Sequence, residues 1–167
     1  GTYSLNSTSL DESVAVELLL NKNDKDYPDV AVVIADVENL KRNLLLFTQI
    51  KDLNIPTLLV INMADQMTKR GIQLDIAQLE IDLDTKIALV STRKGEGIDE
   101  IKQFLIDHAQ LSTQSLLNPS CIDSAYFAKL KNTYPKESLY KLWLVITQDV
   151  NFSTLEKTYQ TPEATFE

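Results

Sequence analysis

Two short polar stretches carry most of the chemistry this chain could do: Asn62-Met63-Ala64-Asp65, and further along Ser91-Thr92-Arg93. A carboxylate such as Asp65 can accept two hydrogen bonds side by side. Guanine offers that pair of donors at N1 and the exocyclic N2, whereas adenine has an acceptor at N1 and no amine at that edge. A bidentate contact of this kind discriminates between bases by about 1–3 kcal/mol. Asn62 has an amide able to brace the loop, and the thioether of Met63 can cover an aromatic face. Asn and Asp are also common at strand ends and helix caps, so the tetrapeptide taken alone more often describes an ordinary loop.

The flanking sequence places both stretches at the ends of strands. Asp-Val-Ala-Val-Val-Ile-Ala-Asp (29–36), Pro-Thr-Leu-Leu-Val-Ile-Asn (56–62) and Lys-Ile-Ala-Leu-Val-Ser (86–91) are short apolar runs with polar ends. They have the texture of parallel strands buried on both faces. Helical patterns separate them. Residues 39–53 carry Leu40, Leu44, Phe47 and Ile50 on one stripe, and a short helix from about Asp65 ends at Lys69-Arg70-Gly71. Residues 75–83 open with Asp75 and Gln78 as a capping box. A helix over 98–110 turns Ile101, Phe104 and Leu105 inward. Strand and helix alternate, which predicts an α/β fold with a parallel sheet. In such sheets ligands bind at the loops after the carboxyl ends of the strands, where both stretches lie.

The two stretches, in this order and each after a strand, resemble the guanine-specificity loops of GTPases. The resemblance implies that Asp65 reads the base, Asn62 braces its loop, and Met63 stands where most GTPases have a Lys whose stem lies on the base. Ser91-Thr92-Arg93 resembles a Ser-Ala-Lys motif, in which a backbone N–H reads guanine O6 and the serine supports the aspartate. Other residues narrow the family. Gly1-Thr2-Tyr3-Ser4-Leu5 resembles the end of the Asp-x-Pro-Gly-Thr-Tyr-Ser-Leu switch motif of FeoB ferrous iron transporters, with Gly1 as the glycine that meets the γ-phosphate. Asp11-Glu12-Ser13-Val14-Ala15, Asn39-Leu40-Lys41-Arg42-Asn43-Leu44 and Lys94-Gly95-Glu96-Gly97-Ile98 are similar to further stretches of that family. Without the resemblance, Asn39 is a helix cap, Arg42 and Asn43 are solvated, and 94–97 is a loop before a helix.

The resemblance implies part of a P-loop GTPase-type sheet with flanking helices over 1–110, a Ser/Thr/Gln/Asn-rich linker over 111–122, and a small helical extension over 123–167. In that extension Ala125, Phe127, Leu130 and Tyr134 form one stripe and Leu139, Leu142, Trp143 and Ile146 another. It also implies GTP or GDP as ligand, Mg²⁺ in the intact domain, and a partner in the transmembrane portion of an inner-membrane parent protein. The four glycines are Gly1, Gly71, Gly95 and Gly97, and the 167 residues contain no Gly-Lys-Ser/Thr loop to cradle phosphates. The expectation is that the phosphate loop, first switch and Mg²⁺-side aspartate lie upstream, and that this polypeptide alone does not hydrolyse GTP. A sheet lacking its neighbouring strand would leave Val30 to Ala35 as an open edge, which predicts self-association there.

A net charge of -8 disfavours binding to nucleic acid, because a phosphate backbone is attracted by clustered cations. With 44% hydrophobic and 24% charged residues the chain can build a core. No apolar run approaches the roughly 18–20 residues needed to cross a bilayer, so a soluble, cytoplasmic chain is expected. Lone Cys121 and lone His108 give no disulfide, zinc or acid/base signal. Asp24, Asp26 and Asp29 lack converging His or Glu partners and read as a solvated loop rather than an Fe²⁺ site. Two other functions fit parts of the pattern: a ribosome- or RNA-associated GTPase, which the acidic charge opposes, and a non-enzymatic module docking through Leu139, Leu142 and Trp143, a stripe that also suits a core.

Overall fold

The computed structural model describes Leu5 and residues 10–148, with the side chains of 10–13 and 147–148 outside that description. The chain separates into two compact units, the first ending at Leu117 and the second beginning at Asn118. The first unit contains α1 (Leu10–Leu20), β1 (Ala31–Asp36), α2 (Leu40–Lys51), β2 (Thr57–Asn62), α3 (Ala64–Arg70), α4 (Ile76–Asp82), β3 (Ile87–Leu89) and α5 (Ile98–Ile106). A 3-10 turn at His108–Gln110 follows α5. Local signals in the sequence explain most boundaries. Asp75 accepts from the Gln78 N–H and starts α4, although the Gln78 amide turns forward to Asp82 instead of closing the box. Gly71, at φ 65°, ends α3 behind Lys69 and Arg70.

The sheet is parallel, in the order β1-β2-β3. Its register pairs Val32 with Leu58 and Ile34 with Val60, and alternation then sorts the residues into two faces. On one face Leu58, Val60, Ala88 and Val90 form a buried cluster with Leu111, closed by Ile101 and Phe104 of α5. The other face presents Val33 and Ala35 with Leu59 and Ile61, all buried. Helix α2 lies against β1 and β2 there, with Phe47 and Ile50 buried. Burying a phenylalanine in this way is worth about 3–5 kcal/mol against alanine.

Strand β1 departs from the expectation of burial on both faces. Val32 is 38% exposed and Ile34 68% exposed. The reason is the reach of α5, whose apolar side chains cover β2 and β3 and leave this face of β1 bare. Strand β2 is central and buried on both faces, as its sequence predicts.

The segment expected to begin a linker is tied to the first unit as far as Leu117. Leu111 packs under the sheet, and the Lys51 ammonium, whose side chain is fully buried, donates to the Asp84 and Ser112 carbonyls at 2.6 and 3.2 Å. Asp52 Oδ1 accepts from Ser115 Oγ and from the N–H groups of Leu116 and Leu117 at 2.7–2.9 Å.

The second unit has a 3-10 turn at Pro119–Cys121, α6 (Ser124–Thr133) and α7 (Leu139–Gln148). Asp123 caps α6 by accepting from the Tyr126 N–H, and Phe127 and Leu130 are buried as expected, whereas Tyr134 is exposed. In α7 the buried pair is Tyr140 and Leu144; Leu139, Leu142, Trp143 and Ile146 are half-buried. The inward face is therefore rotated from the expected stripe, with the Tyr140 ring stacked in a tilted arrangement 5.7 Å from Trp143. Cys121 is exposed.

Candidate functional site

Both polar stretches lie at the carboxyl edge of the sheet, on neighbouring strands. Asn62 is the last residue of β2. The chain then turns through Met63, at φ 67°, a left-handed conformation uncommon outside glycine, and enters α3 at Ala64. That turn points the first residues of α3 toward the end of β3. The Ala64 N–H donates to the Val90 carbonyl at 3.0 Å, and the Val90 N–H to the Ile61 carbonyl at 2.8 Å. Beyond Val90 the chain folds back on itself: Ser91 and Glu96 exchange backbone hydrogen bonds of 3.1 and 3.2 Å, closing a small loop that carries Thr92 and Arg93.

Gly97 makes this closure possible. It sits at φ 80°, and a Cβ there would lie 2.5 Å from the Leu89 carbonyl oxygen and 2.9 Å from a Val90 methyl. Only a residue without a side chain lets α5 start this close to β3.

The two loops are joined by side chains. Ser91 Oγ donates to Asp65 Oδ1 at 2.9 Å. Asp65 Oδ2 accepts from Gln66 Nε2 at 2.9 Å and from Arg93 Nη2 at 2.8 Å. Asn62 Oδ1 accepts from the Thr92 N–H at 3.2 Å and from its hydroxyl at 3.3 Å. The Asp65 side chain is 5% exposed under these partners, while Arg93 is 67% exposed. The Ser91 hydroxyl holds the Asp65 carboxyl below the usual carboxylate range; burial opposes it, and Arg93 and Gln66 add to the lowering. Asp65 is thus an ionised acceptor at neutral pH.

Asn62, Met63, Asp65, Ser91, Thr92 and Arg93 are therefore brought together, and Gly1 lies outside the described residues. Gln66 joins them without a sequence signal, since a residue next to the aspartate is as often solvated as engaged. The third strand end is also tied in. The Val37 N–H donates to the Asn62 carbonyl at 3.2 Å, and Glu38 pairs with Arg70 at 2.7 Å. Asp36, at the end of β1, accepts from the Asn39 N–H at 2.7 Å, from its amide at 3.0 and 3.1 Å, and from Asn43 Nδ2 at 3.4 Å. Burial pushes the Asp36 carboxyl up, but these hydrogen bonds outweigh it and leave it below the usual range. Asn39 thus occupies the cap position of α2 without capping it, and Asn43 is buried instead of solvated, because both amides are committed to Asp36.

A cavity of about 600 Å³ lies at the opposite, amino edge of the sheet, bordered by Glu80, Asp84, Lys86 and Ser112. Its polar groups are used internally: Glu80 accepts from the Ile87 N–H and pairs with Lys86, and Ser112 donates to Asp84. Among the described residues no group of three or more His, Cys, Asp or Glu could hold a metal ion, and no helix is long and apolar enough to cross a membrane.

The same fold occurs in solved structures. The cytosolic domain of the Thermotoga maritima FeoB iron transporter in its GMPPNP form matches with a TM-score of 0.79 at 25% identity, over 97% of this chain and 66% of that one. The FeoB G-domain from Methanococcus jannaschii matches with a TM-score of 0.61 at 34% identity, over 66% of this chain and 68% of that one. In sequence, the Fe(2+) transporter FeoB of Leptospira biflexa is 39% identical over 105 residues, 63% of this chain and 15% of the relative. That of Staphylococcus aureus is 41% identical over 108 residues, 62% of this chain and 16% of the relative. The chain thus spans about one-sixth of the length of these curated relatives. The family model described as ferrous iron transport protein B matches residues 1–105, well over half of the sequence. With the parallel sheet, the two joined loops and this match, the chain belongs to the ferrous iron transport protein B family.

Proposed function

We propose that this chain reads guanine nucleotides, GTP and GDP, as part of the GTPase domain that regulates a membrane ferrous iron transporter. The observation that carries the reading is the Asp65 carboxylate at the carboxyl edge of a parallel sheet, ionised and braced by Ser91 from the next strand. In the bound state Asp65 accepts from guanine N1 and N2, Ser91 keeps the carboxylate aimed, and Asn62 holds the Thr92 loop beside it. Met63 covers a face of the base, and a backbone N–H of the 91–93 loop meets O6. Support comes from relatives crystallised with GDP and GMPPNP. Gly1 belongs to the γ-phosphate side in this reading.

No Gly-Lys-Ser/Thr occurs in the 167 residues, so the chain by itself is expected to bind nucleotide weakly and not to turn it over. Mg²⁺ in the intact domain belongs with the phosphates. Asp24 and Asp26 are exposed, and Asp24 Oδ1 accepts from the Asp26 N–H within its own turn, which favours a solvated loop over an iron site. In this reading the chain lies on the cytoplasmic side of the inner membrane. There the helical unit that begins at Asn118 relays nucleotide state to the transmembrane portion of the parent. We also infer that β1, an edge strand among the described residues, pairs with a second copy when no other strand covers it.

The test is base discrimination by Asp65→Asn. Chemical-shift titration with GDP and ADP should show the preference for GDP reduced by about 1–3 kcal/mol in the variant. An unchanged preference would overturn the reading.

A further inference from the structure

We propose that Arg93 gates the base site, by occupying the same carboxylate that reads guanine and leaving it when the nucleotide arrives. The inference rests on the reading of Asp65 given above. A guanidinium presents its N–H donors in a planar fork, as the N1–H and N2–H edge of guanine does. Arg93 Nη2 meets Asp65 Oδ2 at 2.8 Å, and that oxygen also takes the Gln66 amide at 2.9 Å. Oδ1 is held by Ser91 at 2.9 Å. With these three donors seated, the Asp65 side chain is 5% exposed, so a base cannot reach both oxygens until one donor leaves.

Of the three, Arg93 is the one built to leave. Ser91 is itself buried and sits where the Ser91–Glu96 backbone bonds fix it. Gln66 lies in the first turns of α3, next to Asp65. Arg93 is 67% exposed, on a loop whose tip faces solvent, and its guanidinium can regain water as it swings out. Nucleotide binding then exchanges the single Arg93 donor on Oδ2 for donors of the base. An exposed pair of this type is weak, so removing it should tighten base binding only modestly, roughly two- to five-fold.

Guanosine is the probe of choice, because it carries the base without phosphates and has no charge of its own for salt to screen. In the full chain, Arg93→Ala should bind guanosine about two- to five-fold more tightly than the parent chain by chemical-shift titration. Raising salt from about 0.05 to 0.5 M screens the ion pair, so affinity for guanosine should rise in the parent chain and stay flat in Arg93→Ala. Weaker or equal binding by Arg93→Ala, or a parent affinity indifferent to salt, would overturn the gate. Asp65→Asn separates the two ideas. If it keeps the preference for guanosine over adenosine, the guanine reading fails and the gate with it. If it loses that preference while Arg93→Ala matches the parent, only the gate fails.

Discussion

At the scale of single residues, the site is organised around keeping one carboxylate charged. Ser91 is the largest cause, with Arg93 and Gln66 adding to it against the cost of burial. The linkage has a definite sign. A carboxyl whose native pKa lies below its unfolded value of about 3.9 contributes stability at all pH above that value and loses it as the pH falls through the native one. Ser91→Ala removes the largest cause, so the Asp65 titration should move up toward the ordinary range, and the acid-side loss of stability should become smaller and be complete at higher pH. Following the Asp65 carboxyl carbon by NMR across an acid titration checks this directly; an unmoved midpoint in Ser91→Ala would assign the lowering to another partner. The pairing of Ser91 with Asp65 was legible in the sequence, because both belong to a recognisable two-loop pattern. The engagement of Asp65 by Arg93 and Gln66 was not. Those contacts depend on side-chain direction across a loop, and neither spacing nor residue type encodes it.

At the scale of elements, the loop that carries Ser91, Thr92 and Arg93 is held by its ends. The Ser91–Glu96 backbone pair closes it, and Gly97 lets α5 start against the Leu89 carbonyl. Gly95 provides an internal comparison, since it also has positive φ, at 73°, but its missing Cβ would face open space. Gly95→Ala should therefore cost only the conformational term, about 1 kcal/mol. Gly97→Ala adds a backbone collision and should cost about 3 kcal/mol or more. Urea unfolding of the two variants decides the matter, and equal losses would mean that close approach to β3 is not what Gly97 provides. Element order and type were readable from alternating apolar runs and helical stripes. Facing was less so. In α7 the buried residues are Tyr140 and Leu144, because an aromatic-rich helix offers several apolar stripes and only the neighbour it packs on selects one. Asn39 shows a similar limit, since a cap residue and a carboxylate ligand look alike until the distance to Asp36 is known.

At the scale of the molecule, the feature that sequence texture concealed is the bare face of β1. An uninterrupted Ala-Val-Val-Ile-Ala run looks the same whether helices cover both sides or one, and here the apolar side chains of α5 stop short of it. Among the described residues β1 is an edge strand, and it exposes Ile34 and Val32. Such an edge can gain hydrogen bonds and bury apolar surface at once by pairing with another strand, and natural sheets interrupt it with charge where pairing must be avoided. Placing a lysine at Ile34 supplies that charge without touching the buried Val33 and Ala35 side or the loops at the carboxyl edge. In sedimentation velocity over a concentration series, the parent chain should show a self-associating species that Ile34→Lys loses, with thermal stability of the isolated chain little changed. Lysine at Leu45, an exposed position on α2 away from this edge, should leave association intact. A parent chain that stays monomeric at high concentration, or association that survives Ile34→Lys and fails with Leu45→Lys, would remove β1 as the contact.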